Sequence, residues 1–302
     1  MTSAALSLTP EQESKRGVIA ALVAFITWGI YPIFYHQIAF IEPMQVLAWR
    51  VLWSCLVIAL MFMLLPSLSV PWQKLRTPKA WGLVVAATIL ISINWFIFIY
   101  AVSTGEILQA SLGYFLNPTI SGLIGIAFFG ERLARLKNLS IAVALIGMAI
   151  TFAVAGVVPV LALTMACAFA VYAAIRKRSD LDSASGLLLE TLIMVPVAIA
   201  YLALMPLSER TFEPGIMTLL AVSGILTLIP LLTAIYAARR ISLSTFGLFQ
   251  YITPVMHLLI AVGLYGEVLN LSRTLAFVTT LAAVALFIGA ILQDRQRERK
   301  QT

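Results

Sequence analysis

The segment ASLGYFLNPTISGLIGIAFFGERL, residues 110–133, recurs in altered form as STFGLFQYITPVMHLLIAVGLYGEVL, residues 244–269. Each copy holds one proline and, near its end, a Gly-Glu pair followed by a leucine, all at a constant offset of 136 residues. The aligned pairs are Pro118/Pro254, Gly130/Gly266, Glu131/Glu267 and Leu133/Leu269. An offset near 140 also places Arg50 over Glu190. The sequence therefore predicts a chain made of two related halves.

Long apolar runs fill the rest of the chain. Of the residues, 61% are apolar and 11% are charged, and the mean hydropathy is +1.00. About 20 apolar residues in a helix cross the roughly 30 Å hydrocarbon core of a bilayer. The predicted spans are Gly17–Tyr35, Met44–Leu65, Trp81–Val102, Ile107–Phe129, Leu139–Ala155, Val158–Ile175, Ala184–Met205, Gly215–Ala238, Leu243–Tyr265 and Ser272–Leu292. We therefore expect an all-α membrane protein with ten transmembrane helices and short connections.

Five predicted spans fall in each half, residues 1–155 and 156–302, which we expect to be two repeats within one integral membrane domain. Because five is odd, the second repeat enters the membrane from the opposite side. Inverted repeats are typical of secondary transporters, in which two equivalent halves exchange inward-open and outward-open shapes. Channels also contain them, and duplication of a purely structural unit is a further alternative.

Basic residues determine the expected orientation. The formal net charge is +7. With a cytoplasmic N-terminus, 17 of the Lys and Arg residues fall in cytoplasmic loops and termini and only Arg210 and Arg273 fall outside, as the positive-inside rule requires. Both termini are therefore predicted to be cytoplasmic. The basic loops are interpreted as topology signals and lipid contacts, so the expected partners are a bilayer and a small molecule, not a nucleic acid. The sequence gives no indication of the oligomeric state.

Several motifs resemble one known family. In each half the fourth predicted span closes on an aromatic-Gly-Glu signature, Phe129-Gly130-Glu131 and Tyr265-Gly266-Glu267. The other similar strings are WGIYPIF (28–34), WRVLWS (49–54), NWFIFIYAV (94–102), SLGYFLNP (111–118), LLLETL (187–192) and FQYITP (249–254). The chain resembles the EamA branch of the drug/metabolite transporter superfamily, and more narrowly its RarD subfamily, whose members are often labelled chloramphenicol-sensitive or chloramphenicol-resistance permeases. The resemblance covers almost the whole chain. It implies ten transmembrane helices, a bacterial inner-membrane location and export of a small molecule.

Two charged residues lie inside predicted spans, Arg50 in the second and Glu190 in the seventh. An ionisable side chain in hydrocarbon is costly and usually lines a pathway, although a structural ion pair or snorkelling to the surface are alternatives. Their predicted depths differ by roughly 12 Å, which argues against a direct pair. We instead expect gates, in which Arg50 pairs with Glu106 at the outer mouth and Glu190 with Arg239 or Arg240 at the inner mouth.

Glu190 is also the leading candidate for a proton-coupling site, because burial penalises the charged form of a carboxyl. The sequence contains no phosphate-binding loop of the GxxxxGK[ST] type, so the expected energy source is a solute gradient or protons. No catalytic constellation, metal-binding motif or cofactor motif is present in the sequence. We therefore predict a protein that is not an enzyme and needs no metal or cofactor.

Pro118 and Pro254 are predicted to break the fourth and ninth spans, since proline cannot donate to the carbonyl four residues back. The carbonyls freed are those of Tyr114 and Gln250, and such notches at related positions point to a transport site; a simple kink is the alternative. The expected substrate-binding residues near this depth are Trp28, Tyr31, Asn94, Trp95, Tyr114, Asn117, Gln250 and Tyr251.

Flat rings and a few amides suit an amphipathic, partly aromatic solute. The sequence thus predicts an inner-membrane carrier that exports a small amphipathic metabolite or drug by alternating access. A membrane sensor or assembly protein that keeps the fold without transporting is the alternative. Glu131, Glu267 and His257 are interpreted as structural.

Overall fold

The computed structural model describes residues 10–65, 68–129, 135–155, 158–206, 213–238, 240–241, 246 and 249–301. Within these ranges the regular structure is helical. The helices are α1 (Pro10–Gly29), α2 (Tyr31–His36), α3 (Pro43–Leu64), α4 (Pro78–Ser103), α5 (Ile107–Phe129), α6 (Arg135–Ala155), α7 (Val160–Arg178), α8 (Ser183–Leu204), α9 (Pro214–Ala238), α10 (Ile252–Gly263) and α11 (Leu271–Gln301), with a 3₁₀ turn at Trp72–Leu75.

Ten apolar helical segments correspond to the ten predicted spans. Seven of them, with α1 and α2 counted as one segment, are long and apolar enough to cross a bilayer. Three shorter apolar segments, Asn138–Gly147, Ile252–Gly263 and Leu271–Leu286, belong to α6, α10 and α11. The prediction of an all-α, ten-helix membrane protein is confirmed.

Local signals determine where several helices begin. Proline occupies the first position of α3 and α4, where its missing N–H costs nothing. The preceding side chains act as N-caps, since Glu42 accepts a bond from the Gln45 N–H and Thr77 from the Ala80 N–H. Asp182 caps α8 in the same way through the N–H of Ser185. The caps at Glu42 and Asp182 fix where α3 and α8 begin, the two helices that hold Arg50 and Glu190.

Helix packing follows the repeat. The helix α1 of the first half packs on α9 and α10 of the second half. Its counterpart α7 of the second half packs on α4 and α5 of the first half. The helices α3 and α8, which hold Arg50 and Glu190, pack on each other, as do α5 and α10 and also α6 and α11. Exchange of the two halves maps this set of contacts onto itself, as expected for two inverted five-helix repeats.

One of the two expected helix breaks is absent. The helix α5 continues through Pro118. In the ninth span residues 246 and 249 are helical, residues 250 and 251 form a turn, and α10 begins at Ile252 with Pro254 in its first turn. A proline removes a single N–H donor, and α5 keeps its remaining bonds while α7 and α10 pack against it. The sequence analysis did not single out Pro196 in α8 and Pro230 in α9, which also lie inside helices.

Candidate functional site

A cavity of about 250 Å³ lies among the helices of both halves. This volume is just below the roughly 300–1,000 Å³ of pockets for drug-sized ligands, so the cavity suits a small metabolite. Its lining is Phe25, Trp28, Tyr31, Arg50, Ile91, Asn94, Trp95, Phe98, Tyr114, Asn117, Phe169, Tyr172, Leu187, Thr227, Leu231, Phe246, Gln250, Tyr251 and Thr253. All eight residues that the sequence analysis singled out for substrate binding are among them.

Aromatic rings form most of the cavity wall. The Phe98 ring lies between those of Tyr31 and Tyr114, with centroids 6.1 and 6.3 Å away. On another side Phe25 and Trp28 have centroids 5.4 Å apart. Edge and tilted contacts at such distances are the favoured arrangement of rings. The wall is therefore preformed and presents ring faces to an apolar body.

Three amides differ in how they are engaged. Asn94 is 2% exposed and donates from Nδ2 to the Met165 carbonyl at 3.1 Å, so it also ties α4 to α7. The Oδ1 atom of Asn117 is buried and has no hydrogen-bond partner among the described residues. Gln250 lines the same cavity and is exposed. Asn117 and Gln250 therefore have free polar atoms for a solute.

Arg50 is 3% exposed and lies against an aromatic surface. Its Cζ is 4.4 Å from the Trp95 ring centroid and 5.6 Å from that of Tyr35. The Nε atom donates to Thr227 Oγ1 at 2.9 Å, and that hydroxyl donates in turn to the Ser223 carbonyl at 2.9 Å. Among the described residues no carboxylate lies within ion-pair distance of Arg50. The guanidinium is thus oriented without being neutralised.

Glu190 is 0% exposed and forms its own cluster. The Tyr172 hydroxyl donates to Oε2 at 3.2 Å, and Arg176 Nη1 is 3.6 Å from Oε1. Arg176 belongs to a basic run that the sequence analysis interpreted as a topology signal. Instead its side chain turns into the bundle and donates from Nη2 to the Asp182 carbonyl at 2.9 Å. It lies on Gly186, where an added Cβ would overlap the guanidinium.

The expected gate pairs are not formed in this conformation. Glu106 pairs with Arg273 at 2.7 Å, and Arg240 pairs with Glu13 at 2.6 Å. Arg50 is the eighth residue of α3 and Glu190 the eighth of α8, so each is about 10 Å inside its helix, whereas Glu106 and Arg240 lie in connections. This difference in depth explains why Glu106 pairs with Arg273 rather than with Arg50, and Arg240 with Glu13 rather than with Glu190. Arg239 lies outside the described residues.

Glu267 braces the opposite half. Its two carboxylate oxygens accept bonds from the Ile107 N–H at 2.7 Å and the Leu108 N–H at 3.0 Å, at the start of α5. The preceding Gly266 has φ of +66°, which favours glycine. His257 bonds the Trp28 carbonyl through Nε2 at 3.0 Å. These contacts fit the structural interpretation of both residues; Glu131 lies outside the described residues.

A proline notch that the sequence analysis missed lies beside the cavity. Pro230 leaves the carbonyl of Leu226, four residues back, without its helical donor. The Tyr31 hydroxyl donates to this carbonyl and so joins α2 to α9. The signal was present in the sequence as a proline inside an apolar run. The partners Thr227, Tyr172 and Arg176 had no such signal, because only the packing of distant helices brings them to the charged residues.

Comparison with known proteins identifies the class. The sequence profile described as the EamA-like transporter family matches residues 15–153 and 157–289. The chain belongs to this family. The similarity to RarD expected from the sequence is also confirmed. The "Protein RarD" of Salmonella typhimurium is 37% identical over 95% of this chain and 99% of its own length.

Other similar proteins agree with this assignment. An "Uncharacterized transporter" of Vibrio cholerae is 36% identical over 93% of this chain and 94% of its own length. A solved crystal structure, 19% identical, shares the fold with a TM-score of 0.59, covering 94% of this chain and 99% of that chain. The protein is therefore a multi-pass bacterial membrane transporter that acts on a small molecule. No group of three or more His, Cys, Asp and Glu side chains that could hold a metal was found within the described ranges.

Proposed function

We propose that this protein is a secondary carrier of the bacterial inner membrane, which exports a small amphipathic metabolite or drug by alternating access. The observation that carries the proposal is the cavity. It lies among helices of both halves, is walled by aromatic rings and contains free amide groups and a buried cation. The main helix pairs between the halves map onto each other on exchange of the halves, which supports two equivalent conformations. Residues 1–155 and 156–302 are the proposed repeats, with both termini in the cytoplasm.

Flux measurements in proteoliposomes test this function. Purified protein is reconstituted and uptake of labelled amino acids, nucleobases and phenicols is compared with that of empty liposomes. Asn117→Ala removes an amide that lines the cavity and whose Oδ1 atom is buried without a partner among the described residues, so we expect it to reduce uptake of the transported solute about tenfold. Leu259→Ala changes a side chain that is 65% exposed on the outer surface of α10 and is the matched control. Equal uptake by both variants would disconnect the cavity from transport, and no uptake of any solute would favour the non-transporting alternative.

Glu190 is the proposed proton-coupling residue. It is buried, accepts a hydrogen bond from the Tyr172 hydroxyl and lies 3.6 Å from Arg176 Nη1, and Tyr172 itself lines the cavity. We expect Glu190→Gln to retain exchange of substrate but to lose its dependence on a pH gradient, because the amide cannot bind and release a proton. The measurement is flux with and without an imposed pH gradient. A variant that keeps the full pH dependence of the wild type would remove Glu190 from the coupling mechanism.

A further inference from the structure

Arg50 differs from the three arginines that form ion pairs within the described residues. Arg176, Arg240 and Arg273 each pair with a carboxylate, although each is more exposed than Arg50. Arg50 has a hydrogen bond to Thr227 and two ring faces, which orient a cation but supply no negative charge. A buried charge is costly unless it is paired. Arg50 therefore lacks the carboxylate partner that its burial calls for among the described residues.

The guanidinium is placed to receive a ligand. Arg50 lines the cavity. Of the N–H donors of its guanidinium, only Nε has a hydrogen bond to a described residue, Thr227. Arginine has five N–H donors in a planar fork that fits the two oxygens of a carboxylate. The ring of Trp95 at one face and the bond to Thr227 fix the plane of this fork. Little side-chain entropy remains to be lost when an anion binds.

The remainder of the cavity defines the other end of the ligand. Rings of Phe98, Tyr114 and Phe169 present apolar surface, and the unpaired Oδ1 of Asn117 offers one further polar contact. The volume of about 250 Å³ is larger than a bare inorganic anion requires. We infer that the transported solute is a small carboxylate with an aromatic or branched apolar body, whose carboxylate pairs with Arg50. This inference rests on the proposed carrier function and specifies the class of its substrate.

Three compounds of almost equal shape test the charge. Phenylacetate is an anion, phenylacetamide is its neutral analogue and phenethylamine is a cation. Binding of each to the detergent-solubilised protein is measured by calorimetry at constant ionic strength. A hydrogen-bonded charge pair that excludes water predicts about 10- to 100-fold tighter binding of phenylacetate than of phenylacetamide. Equal affinity for the two would overturn the inference, and this comparison needs only the wild-type protein.

Variants of Arg50 then assign the preference to this residue. Arg50→Gln should bind phenylacetate and phenylacetamide equally, and Arg50→Lys should retain part of the preference as a point charge. Retained binding of phenylacetamide shows that the Gln variant is folded. A Gln variant that keeps the full preference for the anion would overturn the assignment. Acetate or chloride that competes for the site as strongly as phenylacetate would overturn the inference that the ligand has an apolar body.

The same compounds separate this inference from the carrier function. If labelled phenylacetate and phenylacetamide are transported equally well, the carrier function stands and the inference is wrong. If phenylacetate binds in preference to phenylacetamide but neither compound crosses the membrane, the anion site stands and the carrier function is wrong.

Discussion

At the level of single residues, Gly186 has a specific role next to Glu190. An added Cβ would overlap the guanidinium of Arg176, which pairs with Glu190 one turn further along α8. We expect Gly186→Ala to displace Arg176 and to lower the free energy of unfolding by about 1–3 kcal/mol, because a buried carboxylate loses one of its two partners and keeps only the bond from Tyr172. Thermal unfolding in detergent measures the change.

The reference for this variant is Gly82→Ala in α4, where a Cβ meets nothing within 4 Å. Alanine is a better helix former than glycine by about 1 kcal/mol, so Gly82→Ala should leave stability unchanged or raise it. In a Glu190→Gln background the cost of Gly186→Ala should largely disappear, since no charge is left unpaired. An equal cost in both backgrounds would show that Arg176 does not act through Glu190.

The identity of the cavity residues could be predicted from the sequence, whereas their partners could not. Asn94 and Gln250 are amides in apolar runs, where they are costly, and Asn117 lies next to Pro118; these features singled them out as expected binding residues. The bond from Arg50 to Thr227 joins residues 177 positions apart. Such a pair depends on how α3 packs on α9, which no local pattern encodes.

At the level of helices, Tyr31 stabilises the notch that Pro230 makes in α9. Its hydroxyl supplies the donor that the Leu226 carbonyl loses to proline. Tyr31→Phe should therefore lower the free energy of unfolding by about 1–3 kcal/mol, the cost of a buried acceptor without a partner. The same substitution in a Pro230→Ala background should cost much less, because alanine restores the helical donor. Thermal unfolding of the single and double variants provides the measurement.

Tyr35→Phe is the matched control in the same short helix. Its hydroxyl is buried and has no hydrogen-bond partner among the described residues, so its removal should leave stability almost unchanged. A loss with Tyr35→Phe as large as that with Tyr31→Phe would show that ring packing, rather than the bond to Leu226, accounts for the effect.

Proline positions show the limit of prediction for helices. Pro118 and Pro254 were chosen because they align between the halves, yet α5 runs through the first and α10 begins two residues before the second. Whether a proline breaks a helix depends on whether neighbouring helices hold the chain straight and satisfy the freed carbonyl. The helix α9 stays continuous through Pro230, since the Tyr31 hydroxyl, from a different span, donates to the freed Leu226 carbonyl.

For the whole molecule, hydropathy and the internal repeat were sufficient to predict the architecture. Ten apolar segments separated by short polar connections allow only a helical bundle, since backbone polar groups in lipid must be satisfied within the chain. The repeat then relates the helices of one half to those of the other, so a cavity at their junction was expected. Its volume and the unpaired state of Arg50 emerge only when all the helices are in place.

The most direct test of the carrier function is counterflow in proteoliposomes. Vesicles are loaded with an unlabelled transported solute, diluted into a trace of the labelled solute, and the transient accumulation of label is followed. Alternating access predicts a transient accumulation of label above equilibrium. The excess unlabelled solute inside occupies the inward-facing site, so label that has entered is rarely carried out again. Equilibration without an overshoot would indicate a channel, and absence of entry above that of empty liposomes would contradict the account.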